Sequence, residues 1–122
     1  MNIALWIVQV LLGLAFLMAG YNHGFRIDQA RTQMAWMTAV PDNLLRFIGI
    51  SEILGGIGLI LPAVTGILPV LTAWAAASLA VVMVLAAVFH LRRQEYQAIV
   101  INSVLFVLAA FVAFGRFVLE PL

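Results

Sequence analysis

No cysteine and no lysine occur anywhere in this 122-residue chain. The first absence excludes disulfides, thiol exchange, thiolate-held iron–sulfur clusters and a cysteine nucleophile. The second excludes Schiff-base chemistry and a phosphate-binding lysine, and leaves arginine as every basic residue. Charge is scarce altogether: Asp, Glu, Lys and Arg make up 9% of the chain, with a formal net charge of +1. Such a balance carries no electrostatic footprint for nucleic acid. Also missing are a phosphate loop, a catalytic triad, a paired-carboxylate motif and a metal-spaced His/Asp/Glu cluster, so no metal site is expected.

What the chain has instead is apolar residues, 66% of the total, with a mean hydropathy of +1.16. A soluble domain this small leaves too much surface exposed to hide them. Four runs hold most of them, at residues 3–20, 44–61, 67–89 and 98–119. Each is about 18–23 residues, enough to cross roughly 30 Å of hydrocarbon as a helix. In lipid the backbone must bond within its own segment, so the fold class expected is an all-α bundle of four transmembrane helices. The runs do not alternate as barrel strands would. The first run lacks a basic n-region and an A-x-A-like end, and reads as a retained helix rather than a signal peptide. One domain, 1–122, accounts for the whole length.

The connections are short, except for residues 21–43. There Ile27, Ala30, Met34 and Met37 recur at helical spacing, while Arg26, Asp28, Gln29, Arg31 and Gln33 fall mostly elsewhere on the wheel. The pattern predicts a short amphipathic helix between the first two spans, lying on the membrane surface with Trp36 as its anchor. Asp42 or Asn43 is the expected cap of the second span, and residues 62–66 a tight turn. The arginines are lopsided. Arg26, Arg31, Arg46, Arg92 and Arg93 share one side, and Arg116 stands on the other. The positive-inside rule then puts the two charged loops in the cytoplasm and both termini outside.

Glu52 sits in the middle of the second run. An ionised carboxylate at the bilayer centre costs roughly 2.5 kcal/mol or more, so such a residue turns inward. Gly49, Gly55 and Gly56 lie at −3, +3 and +4 from it, and small residues let a neighbouring helix come close. Arg46 is on a different face of the same helix and cannot pair with it. By depth, Gln9, Ser78 and Asn102 from the other three spans are expected to join Glu52 in one midplane polar site. Without a cation beside it, the carboxyl is expected to rest as the neutral acid. Two readings stay open, a polar clasp fixing helix register and a ligand or proton site with Glu52 as the proton carrier.

His23 and His90 both fall on the arginine-rich side. They could be axial ligands of a b-type haem, but interfacial hydrogen bonding is the commoner role, and haem is disfavoured. His90 and Arg92, in the stretch HLRRQEYQ, are candidates to hold an anionic head group or an acidic substrate, against a solvated loop that sets topology. Ala73, Ala76, Ala77 and Ala80 form a small-residue face on the third span, suited to another membrane subunit or to self-association.

These motifs resemble the DoxX-like family of small four-helix membrane proteins. The likeness rests on FLMAGYNHGF, RFIGISEILGGIGLILP, VFHLRRQE and AIVINSVLFVLAAFVAFGR, nearly the whole length. Gly49, Glu52, Gly55, Gly56, Leu59 and Pro62 occupy the most specific pattern, and His90, Glu95, Asn102 and Arg116 a weaker later one. In many relatives a lysine follows the glycine closing the first span. Here the stretch reads Gly20-Tyr21-Asn22-His23, so either a histidine stands in or the position has no role. The resemblance implies a multi-pass protein of a bacterial inner (plasma) membrane. Some relatives are membrane subunits of thiosulfate:quinone oxidoreductase, others are linked to membrane redox complexes, and distant animal ones are chaperones for membrane receptors. The expected function is therefore a component of a quinone-linked oxidoreductase system, with quinone hydrogen-bonded at the polar site and flanked by rings such as Phe47, Trp74 or Phe106. Electrons would come from a partner subunit. The alternatives are a non-enzymatic accessory or assembly subunit and a small transporter component. The transporter reading lacks a broken helix or an inverted repeat.

Overall fold

The computed structural model describes residues 2–121, apart from the side chains of Gln33 and Ala35. Its elements in chain order are α1 (Asn2–Phe25), α2 (Ile27–Gln33), a 3₁₀ turn (Ala35–Ala39), α3 (Asp42–Thr65), α4 (Val70–Arg92) and α5 (Tyr96–Phe114), which continues as a π-helical turn (Gly115–Leu119). No strand occurs among the described residues. α1, α3, α4 and α5 with its π turn are the four helices long and apolar enough to cross a membrane. Large apolar side chains such as Ile3, Leu54, Leu85 and Val107 cover their outer faces. That arrangement suits lipid and not water.

The helices outrun the apolar stretches. α1 continues past Gly20 for five residues and so carries His23 on a helical face. α3 runs through Pro62, whose ring removes one backbone donor, and ends at Thr65. Gly66 closes it with φ 73°, its N–H on the Pro62 carbonyl at 3.0 Å. The left-handed conformation favours glycine there, and the turn expected at Pro62 falls a helical turn later. Neither Asp42 nor Asn43 caps α3: Pro41 precedes the first turn without a side-chain cap. Asp42 instead takes the guanidinium of Arg31 at 2.7 Å. Its negative charge in the first turn also complements the helix dipole.

α1 packs along α3, α4 along α5, and α3 against α4 joins the two pairs. Glycine sets the first of these contacts. A Cβ on Gly49 would stand 2.5 Å from the carbonyl oxygen of Gly20 and the Cα of Gly24, and one on Gly56 would stand 2.7 Å from the carbonyl of Gly13. Gly55 does not share this face. Its Cβ would meet the side chain of Leu79 at 2.6 Å, so it faces α4. The central core includes Leu12 and Phe16 of α1, Leu59 of α3, Ala76, Leu79 and Met83 of α4, and Val112 of α5. Ala73, Ala76 and Ala80 are buried on the inner side of α4, where they let α3 and α5 approach. The small-residue face expected to meet another subunit is thus internal.

α2 and the 3₁₀ turn fold over one end of the bundle. Ile27, Ala30, Met37 and Val40 bury against Leu45, with Met34, Trp36 and Phe89 packed alongside. The expected apolar stripe is real, but it is turned onto the bundle and makes a cap. Extended backbone at Met34 divides it, so that Met37 belongs to the 3₁₀ turn. Arg31 fastens the cap, donating to the carbonyls of Met37 at 3.2 Å and Val40 at 2.9 Å.

Candidate functional site

Beneath the cap lies Glu52, 4% exposed. Its Oε1 is 2.6 Å from Nδ1 of His23, 29 positions away in the chain. Helix geometry brings the two together. Side chains lean toward the N-terminus of their own helix. Since α1 and α3 run antiparallel across the glycine contact, His23 leans away from the cap, Glu52 leans toward it, and they converge. At this distance imidazole and carboxyl share a hydrogen bond. The group beside Glu52 is therefore the imidazole of His23.

His23 touches Trp36 edge-on, with ring centroids 5.2 Å apart. On another side of Trp36 is His90, whose ring lies 5.5 Å from the same indole, also edge-on. Trp36 is thus half-buried between two imidazoles and packed on the cap. His90 Nδ1 lies 3.0 Å from Oε1 of Glu95, and Arg93 Nε donates to that same oxygen at 3.0 Å. Bonding by His90, reinforced by the hydrogen bond and charge of Arg93, holds the Glu95 carboxyl below the usual carboxylate range, although partial desolvation opposes it. Two histidine–carboxyl pairs therefore flank one indole. Arg92 is not part of this cluster and is exposed. The basic hairpin spends its charge on Glu95, so His90 and Arg92 do not converge on one anion site.

The single midplane site expected from four spans is divided in three. Gln9 belongs to the opposite end: its Nε2 donates to the Leu59 carbonyl at 2.7 Å and its Oε1 accepts from Arg116 Nε at 2.8 Å. Leu59 is seven residues beyond Glu52, about 10 Å along α3 at 1.5 Å per residue. Ser78 is exposed on the outer side of α4 and joins neither group. Asn102 is 9% exposed, and its amide nitrogen is buried without a hydrogen-bond partner. It lines a groove of about 320 Å³ between α4 and α5, together with Met83, Ala87, Leu91, Ser103 and Phe106. Of the rings named as flanking candidates, Phe106 alone is here. Phe47 and Trp74 are exposed on the outside of the bundle.

Two residues of the buried polar clusters are hard to read from the sequence. His23 was noted, but its partner was not, because no motif links positions so far apart. Arg116 was counted for topology, yet it is buried to 4% exposure. Its place in a family pattern was the one available signal.

Four spanning helices around buried polar groups define a small integral membrane protein that crosses the bilayer several times. A sequence profile of the DoxX-like family matches residues 7–112, and the chain belongs to that family. No curated protein and no solved structure matches it significantly.

Proposed function

We propose that this DoxX-like protein is the membrane component of a quinone-linked oxidoreductase system, with the quinone ring seated in the α4–α5 groove. The observation that carries the reading is the orphan amide of Asn102. A buried N–H without a partner is costly, and a quinone carbonyl would accept from it. The groove supports this in size, since ligand pockets run from roughly 300 to 1,000 Å³, and in its mainly apolar lining with Phe106 at hand for the ring. It also lies on a flank covered by lipid, where quinones dissolve.

Reduction of a quinone to a quinol takes two electrons and two protons. The electrons come from a partner oxidoreductase subunit. For protons, His90 adjoins Leu91, which lines the groove, and the His90–Glu95 pair reaches the polar hairpin. The buried Glu52–His23 hydrogen bond under the cap supports Glu52 as a second proton carrier. The arginine-rich cap end then belongs in the cytoplasm of a bacterial inner membrane. The accessory-subunit reading has less support, because the alanine face proposed for docking points inward. The transporter reading has less too, because the spanning helices are unbroken around Glu52.

The test is titration of a short-tailed quinone into the full chain in lipid nanodiscs, followed by tryptophan fluorescence. Saturable binding that weakens about tenfold in Asn102→Leu is expected from loss of one buried hydrogen bond. Absence of saturable binding, or equal affinity in Asn102→Leu, would sink the proposal.

A further inference from the structure

The cap turns its apolar stripe onto the bundle and leaves charged side chains on its outside. Where α1 ends at Phe25, Arg26 leaves the helical conformation (φ −126°, ψ 47°), and α2 begins at Ile27. The turn opens a cleft of about 330 Å³, lined by Phe25, Arg26, Ile27, Asp28, Gln29 and Thr32. Its four polar side chains are all exposed. No ion pair reaches Arg26 or Asp28 among the described residues. Arg31, the other cation of α2, is held by Asp42 at 2.7 Å. Arg46 of α3 is exposed but does not line the cleft.

Polar contacts within the cleft are few. Arg26 Nε donates to Gln29 Oε1 at 3.4 Å, a long bond, and the Thr32 hydroxyl donates to the Gln29 backbone carbonyl at 2.6 Å. Both Nη groups of Arg26 and the Gln29 amide nitrogen remain as donors, and the Asp28 carboxylate and the Thr32 oxygen as acceptors. One cleft thus sets a cationic donor group beside an anionic acceptor group. A ligand matched to it carries an anion and a hydrogen-bonding cation a short reach apart.

The position in the membrane narrows the choice. Phe25 is the last residue of a spanning helix, and its ring stacks on that of Tyr21 with centroids 6.4 Å apart. Both rings are exposed on the outer face of α1. Aromatic rings and arginines at the end of a span settle at headgroup depth. An apolar wall therefore leads from hydrocarbon up to a cleft of mixed charge, in the order in which a phospholipid runs from acyl chain to headgroup. A purely anionic lipid would satisfy Arg26 but set nothing against Asp28. A choline headgroup would bring an ammonium that donates no hydrogen bond.

We infer that this cleft binds a phosphoethanolamine headgroup, with its phosphate on Arg26 and Gln29 and its primary ammonium on Asp28 and Thr32. Water-soluble esters of phosphoethanolamine share that chemistry, and the Tyr21–Phe25 wall assigns the site to the lipid, whose acyl chain lies along it. The site is distinct from the Asn102 groove and does not depend on quinone binding.

The experiment titrates the full chain in dodecyl maltoside with phosphatidylethanolamine or with phosphatidylglycerol of the same chains, and reads bound lipid by native mass spectrometry. Phosphatidylethanolamine is expected to saturate at one equivalent and to bind about three- to fivefold tighter, the scale of one exposed charge pair. Asp28→Asn should bring the two lipids within about twofold of each other. Arg26→Gln should weaken both about threefold or more, whereas Arg46→Gln should leave phosphatidylethanolamine binding unchanged. All three side chains are exposed, so the variants keep the fold. Equal affinity for the two lipids, a preference that survives Asp28→Asn, or equal weakening by Arg46→Gln and Arg26→Gln would overturn the assignment. Displacement of the lipid by glycerophosphoethanolamine at equal concentration would overturn the choice of a lipid.

Discussion

Replacing Gly49 by alanine tests the packing and the buried pair together. The added methyl would lie 2.5 Å from the Gly20 oxygen, the Gly24 Cα and the Gly24 nitrogen. Comfortable contact begins near 3.5 Å, so α1 and α3 must part by about 1 Å there. All three atoms are backbone, and no rotamer change relieves the clash. Overpacking of this kind costs about 1–3 kcal/mol. The same shift carries the His23–Glu52 contact from 2.6 Å to about 3.6 Å, where the hydrogen bond is lost, at a further cost of about 1–3 kcal/mol. Against these, alanine returns about 1 kcal/mol of helix propensity. The net expectation is destabilisation of about 1–5 kcal/mol. Gly55→Ala is the control: it has the same propensity gain, but its methyl meets the Leu79 side chain, which can rotate, so its net effect should lie within about 1 kcal/mol of zero. Unfolding in mixed micelles of dodecyl maltoside and rising dodecyl sulfate, followed by circular dichroism, gives the stabilities, and nitrogen NMR of His23 reports the pair. The reasoning fails if Gly49→Ala is no less stable than Gly55→Ala, or if the His23 resonances stay where they are.

Two further outcomes follow from the cap end. Glu52→Ala leaves His23 without its buried partner and should cost about 2–4 kcal/mol, whereas Glu52→Gln keeps an acceptor and should cost about 1 kcal/mol; in the same micelle assay, a Glu52→Gln protein indistinguishable from wild type would argue against both the clasp and the proton site. The depressed Glu95 carboxyl stabilises the α4–α5 hairpin at pH values above the carboxyl's unfolded range, and that contribution is lost as pH falls through its lowered folded value. Hydrogen exchange at the hairpin amides should therefore quicken at acid pH in wild type, and this dependence should be absent in Glu95→Gln.

The spans and the cap stripe were legible because hydropathy and helical spacing are local properties. The four runs mark four crossings, and Ile27, Ala30 and Met37 mark a buried face. What the stripe does not reveal is the surface it covers, here the bundle end around Leu45 and Phe89. Inward faces of the long helices were harder to read. In lipid the outside of a helix is as apolar as the inside, so the contrast that orients a soluble helix fades. That is why the apolar pattern does not show Ser78 to be exposed on α4 or the alanines to be buried. Depth along a helix is hard to read for Gln9, because small shifts in where each helix begins add up across an antiparallel pair. The glycine spacing around Glu52 was a sound guide to close packing for Gly49 and Gly56. It could not tell that Gly55 faces a different neighbour. Partners such as Arg116 and Gln9, 107 positions apart, leave no trace in periodicity at all.

The most direct test of the quinone assignment is native mass spectrometry of the protein released gently from its own membranes. The account predicts an attached mass matching a quinone, lost in Asn102→Leu while the protein stays folded. A folded wild-type chain that carries no such mass, alone or within a larger assembly, or a quinone retained equally by Asn102→Leu, would contradict it.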